Sequence, residues 1–144
     1  MIDGTLKKAL NLLRDKNATC VVLANDECFI SYERGVKPLL ELIEEKRNVT
    51  CGAAADKVVG KAAAMLYVLL GIGELYACVI SELAFDVLTE SGIKVSYEKK
   101  VPMIRNRTDT GYCPMEQATK DIDDPKEALE AIKQTLQKLN AGAK

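Results

Sequence analysis

Histidine is absent from the 144-residue chain, and with it goes the side chain most often used as a general base near neutral pH and as a metal ligand. Proton transfer would have to run through a carboxylate, a lysine, a tyrosine or a thiol. The five cysteines, Cys20, Cys28, Cys51, Cys78 and Cys113, are odd in number and form no CxxC pair, which argues against a zinc ribbon or a disulfide framework and for free thiols. A dominant charge is lacking too. A net charge of -1 and a pI near 5.6 leave no global field to gather phosphates, so general binding to nucleic acid or to an acidic membrane is not expected. The most apolar run, Ala62 to Ile72, falls short of the roughly 20 residues that a bilayer span requires. The opening MIDGTLKKALNLLRDKN has no uninterrupted apolar core of the signal-peptide kind, and the expected location is the cytoplasm.

What is present is a chain of 48% hydrophobic content, suited to a single domain over 1–144 with no internal repeat and no linker. Ile2, Leu6, Ala9, Leu10 and Leu13 share one helical stripe, ended by Lys16 and Asn17. Thr19–Ala24 and Glu27–Tyr32 read as a hairpin turned by Asn25 and Asp26. Pro38 and the leucines after it predict a short helix. The spacing of Val58, Val59, Ala62, Ala63, Leu66, Leu69 and Leu70 predicts a long helix over Ala54–Leu70, stopped by Gly71 and Gly73. Gly60 inside that helix would cost about 1 kcal/mol against alanine, so close packing is expected to compensate. Leu75–Ile80 has the nearly all-apolar look of a central strand, Ser81 is placed to cap a helix running to Ser91, and Lys94–Val101 alternates like a strand nearer the edge. Pro102–Tyr112 reads as loop, and Asp124, Pro125 and Glu127 announce a last helix. Helices alternating with strands in this order point to an α/β sandwich.

If both helices flanking the central strand run antiparallel to it, their N-termini meet at one sheet edge. Each terminus offers unpaired N–H groups and about half a positive charge, which favours an anion or a polarised carbonyl.

The segment LYACVISELAFDVLTESGI is similar to the strand and helix of the cytidine-deaminase-like fold, where a stretch of the form LYxxLxPCxxC carries two zinc-binding cysteines. The resemblance puts Ser81, Glu82, Leu83, Ala84 and Phe85 at the P-C-x-x-C positions, and Ala54, Ala55 and Asp56 at those of His-Ala-Glu, a ligand and a general acid/base. DKVVGKAAAML followed by CPME resembles, over nearly the whole chain, an uncharacterised family of small prokaryotic proteins assigned to the same fold. That likeness implies a three-layer α/β/α sandwich with a mixed sheet, and a homodimer. The ligand positions hold Ala54, Glu82 and Phe85, a set that cannot grip catalytic zinc, so no metal or cofactor is expected.

The remaining chemistry is carried by few residues. Asp56 is a candidate acid/base, against the alternative of complementing a helix dipole. Lys61, among small residues, is a candidate ligand contact. Ser81 and Glu82 are a cap and a first-turn acid or, alternatively, the mouth of a pocket. Arg105 and Arg107 in RNRTDTGYCPME offer planar donors for carboxylate or phosphate. Cys113, at a cap position before Pro114 and Glu116, would have its thiolate stabilised by the helix terminus. The preferred reading is a zinc-less domain binding a small anionic or nucleotide-like ligand. A metal-independent enzyme using Cys113 as nucleophile or redox thiol, with Asp56 in support, is the alternative, and a structural dimer with a vestigial pocket is a third.

Overall fold

The computed structural model describes residues 4–33, 35–104 and 114–142. Arg105, Arg107 and Cys113, with most of the expected loop, lie outside the described residues. Eleven elements follow one another: α1 (Gly4–Asp15), β1 (Cys20–Ala24), β2 (Glu27–Ser31), α2 (Lys37–Glu44), β3 (Ala53–Val59), α3 (Lys61–Leu70), β4 (Glu74–Ser81), α4 (Glu82–Glu90), β5 (Lys94–Val101), α5 (Pro114–Thr119) and α6 (Pro125–Gly142).

The strands form one five-stranded sheet in the order β2-β1-β3-β4-β5. β1 pairs antiparallel with both β2 and β3, while β3, β4 and β5 run parallel, so the sheet is mixed as expected. The β1–β2 turn follows from its residues: Asn25 and Asp26 both adopt positive φ, 52° and 65°, which these side chains tolerate and a two-residue hairpin of this twist requires. β5 is an edge strand and keeps its charged residues exposed.

The sheet is covered on both faces, consistent with a three-layer α/β/α sandwich. On one face Leu6, Ala9, Leu10 and Leu13 of α1 pack on Val21, Leu23, Ala53, Ala55 and Tyr76. On the other, Val22, Ala54, Leu75, Ala77 and Ile80 meet α2, α3, α4 and α6 through residues such as Leu39, Leu66, Leu88 and Ile132. No helix among the described residues is long and apolar enough to cross a membrane.

The long helix expected over Ala54–Leu70 is two elements. Residues 53–59 are the middle strand of the sheet, and the helix begins only at Lys61. Alanine favours helix in isolation, but here Ala53, Ala54 and Ala55 are each at most 2% exposed between two helical layers. Small side chains in this strand let both layers close on the sheet, and that packing overrides local propensity. Gly60 is therefore no helix interior: it is the extended N-cap of α3, with φ -98° and ψ -178°. Ala54, Ala55 and Asp56 accordingly sit in mid-strand, away from the helix start that the deaminase resemblance assigns to them. Cys51, expected just before the long helix, instead precedes β3.

Candidate functional site

Because β3 and β4 are parallel neighbours, with Val59 opposite Ile80, the two helices that follow them start side by side at the carboxyl edge of the sheet. The convergence of two helix N-termini thus exists, shifted six residues along the chain from Ala54 to Gly60. Ser81 caps α4 in the ordinary local way, its Oγ accepting from the Ala84 N–H at 3.1 Å, and it is 1% exposed. Glu82 is exposed in the first turn of the same helix.

The N-terminus of α3 is already engaged by an anion from the chain itself. Glu116, in α5, accepts from the Lys61 N–H through Oε1 at 2.7 Å and from the Ala62 N–H through Oε2 at 3.0 Å. A carboxylate straddling two unpaired N–H groups is the interaction that the helix terminus favours. Gly60 makes it possible, since a Cβ there would lie within 2.4 Å of the Glu116 carboxyl carbon. The helix-interior cost expected at Gly60 does not arise at an extended N-cap, and what crowds the position is the Glu116 carboxylate. Burial pushes the Glu116 pKa up, while the two N–H bonds and the Lys61 charge pull the other way without cancelling it.

Lys61 is 5% exposed, and its ammonium donates to the Lys120 carbonyl at 2.9 Å, just past the end of α5. Thr119 ties α5 internally, its hydroxyl donating to the Met115 carbonyl at 2.9 Å. Two residues of α3 and two carbonyl or carboxyl groups of the α5 region therefore latch these helices together.

Asp56 belongs to a different, wholly buried cluster. The Tyr67 hydroxyl donates to Asp56 Oδ2 at 2.7 Å and lies 3.4 Å from Cys20 Sγ, while the Val58 N–H reaches Oδ1 at 3.3 Å. Desolvation raises the Asp56 pKa to about 7 against the lowering effect of the Tyr67, Val58 and Lys57 hydrogen bonds. The same burial drives the Cys20 thiol far above its ordinary range. Asp56 stands four positions before Gly60 on an extended strand, roughly 13 Å back from the helix start by the usual rise per residue.

Of the expected site residues, Lys61, Ser81 and Glu82 share the carboxyl edge, Asp56 lies behind it, and Arg105, Arg107 and Cys113 are outside the described residues. Glu116 was legible only as a helix-start acid. Its partner Lys61 is 55 positions away, and a Gly-Lys pair after two valines is the single sequence hint of a strand ending at a helix. A cavity of about 600 Å³ opens at the opposite edge, where Cys28 and Cys51 both line it.

The residues that the deaminase resemblance puts at the ligand positions do not fit zinc. Ala54 is buried in β3, and Glu82 and Phe85 supply one carboxylate between them; among the described residues no three histidine, cysteine or acidic side chains converge on a point.

Residues 8–136 match the family model described as a domain of unknown function, DUF1893. A crystal structure of a DUF1893 family protein, TM1506 from Thermotoga maritima, is similar over 96% of this chain and 92% of that one, with 29% sequence identity and a TM-score of 0.82. Among curated proteins no match is found.

Proposed function

We propose, from the premise that this chain belongs to the DUF1893 family, that it is a single zinc-less, deaminase-like domain that binds a small anionic or nucleotide-like ligand at the carboxyl edge of the sheet. One observation carries the reading: the α3 terminus holds a carboxylate on two backbone N–H groups, at 2.7 and 3.0 Å. A carboxylate or phosphate of a ligand presents the same acceptor geometry and can take the place of Glu116. Burial disfavours the ionised Glu116 side chain, so releasing it to water offsets part of the lost contact. The deaminase-like assignment rests on the adjacent starts of α3 and α4 and on the likeness of 75–93 to that fold.

The test is chemical rescue. Glu116→Ala should lower thermal stability, and formate, phosphate or a nucleoside monophosphate should restore it saturably, by about 2.7 kcal/mol at 100 times the dissociation constant. Native protein should shift with the subset of these anions that displaces the side chain. If no anion shifts either protein, the ligand reading fails.

The structural reading has its own support. Among the described residues every buried side-chain nitrogen and oxygen has a hydrogen-bond partner, so the Glu116 latch is complete without a ligand. On that reading Glu116→Ala is destabilised and remains so in every anion.

A further inference from the structure

At the far end of α3 from Glu116, a trough of about 400 Å³ lies between α2, α3 and α6. That volume falls within the range of small-molecule sites. Its floor is aliphatic: Leu42 and Ile43 from α2, Leu69 and Leu70 from α3, and Leu129 from α6. Leu42 and Leu70 are buried, and the other three are partly open to the trough. Such a floor rewards an apolar chain and repels water.

The rim has the opposite character and one sign. Lys46, Arg47 and Lys126 all line the trough, with no acidic residue among its lining. Arg47 is already paired, with Glu45 at 3.0 Å and Glu27 at 3.9 Å, and its guanidinium carbon lies 5.6 Å from the centre of the Phe29 ring. Lys46 and Lys126 are exposed and have no ion-pair partner among the described residues.

Their positions differ in what they do for the fold. Lys46 and Arg47 follow α2, where cations complement the carbonyl end of a helix. Lys126 is in the first turn of the 18-residue α6, where a cation opposes the helix dipole. The dipole of α6 gives no reason for it, whereas an anion held in the trough would meet its ammonium. Asp124 caps that helix, accepting the Lys126 N–H at 3.2 Å, and does not line the trough.

We propose that the α2–α3–α6 trough binds a small amphiphilic anion, an aliphatic carboxylate or alkyl phosphate whose chain lies on the leucine floor and whose head sits between Lys46 and Lys126. The site is separate from the Glu116 edge and does not depend on it.

Octanoate below its aggregation concentration is the probe, followed by thermal shift and by backbone amide NMR, with octanol as its uncharged counterpart. Octanoate should raise the melting temperature saturably and perturb amides around Leu42, Leu69 and Leu129, with octanol weaker. The surface variant Lys46→Glu with Lys126→Glu should weaken octanoate by about tenfold or more while folding normally, since two exposed attractions become repulsions. Glu116→Ala should leave the octanoate response intact, which separates this site from the edge. An equal response to octanol, an unchanged affinity in the double variant, or no response would overturn the proposal. Binding to phosphatidylglycerol vesicles without binding free octanoate would overturn it in favour of a membrane surface.

Discussion

Two β–α units lie side by side in this protein, β3–α3 and β4–α4, and they reach the same geometry with opposite chemistry. In register Asp56 stands opposite Ala77 and Val59 opposite Ile80. The next residue in each unit is the N-cap, Gly60 in one and Ser81 in the other. The second unit is self-sufficient: an alanine in the strand, and a serine that caps its own helix through a hydrogen bond spanning three residues. The first is dependent. It buries a carboxyl group in its strand, and its helix is capped by Glu116 from 55 residues further on. A β–α unit can thus be closed locally or left for a distant segment to close, and only the latter ties a segment 55 residues further on to the sheet edge.

The contrast is most open to attack through pH. Since burial raises Asp56 from 3.8 to about 7, the folded chain keeps a proton that the unfolded chain has already released over that interval. Its stabilising contribution is complete below the unfolded value, is lost as pH rises toward 7 and is gone above it, a change on the order of 4 kcal/mol. Urea unfolding across pH 4 to 8 should show this fall, and Asp56→Asn should remove most of it, because the amide can still accept from Tyr67 without titrating. Glu116, also raised, adds a smaller slope of the same sign, whereas Ser81 adds none. A flat profile in the native protein would erase the distinction between the units.

A second, smaller effect tests the origin of the α3 cap. A methyl at Gly60 can be accommodated only if the Glu116 carboxyl swings away. Gly60→Ala should therefore cost about what Glu116→Ala costs, roughly 2 to 3 kcal/mol, the loss of charge-assisted bonds at a helix terminus. Combined, the two should cost little more than either alone, a coupling of about 2 kcal/mol in denaturant titrations. Additive costs would mean that the glycine serves something other than the carboxylate.

The smallest effect belongs to the self-sufficient unit. Ser81→Ala should cost about 1 kcal/mol, the usual worth of an N-cap side chain. It should add to Glu116→Ala without coupling, as measured by the same titrations. Strong coupling would mean that the adjacent helix starts act as one site, which favours a shared ligand.

These two units also divide what the sequence reveals. The β4–α4 unit is legible because each of its determinants is local: an apolar run, a serine at the cap, a glycine at the end. The β3–α3 unit is opaque for the matching reason. Ala53–Ala55 read as helix in isolation, and nothing near Gly60 announces the carboxylate that fills the space above it. Asp56 stands out in the sequence by its charge, but its partners Tyr67 and Cys20 come from a helix and another strand, and only the folded sheet joins them. The sandwich and the shared carboxyl edge follow from the alternation of helices and strands, whereas the strand order does not, because its middle strand reads as helix. Nor does the latch that occupies that edge follow.

Closing the α3 terminus with Glu116 also has a kinetic meaning. The contact joins Lys61 to a residue 55 positions away, with β4, α4 and β5 strung between them. Closing a loop of that length is expected to come late in folding, so Glu116→Ala should speed unfolding and leave the folding rate nearly unchanged in stopped-flow chevrons. An interaction made after the folding barrier slows unfolding while leaving the folding rate nearly unchanged. With those kinetics the latch would act less as a guide to the fold than as a brake on leaving it.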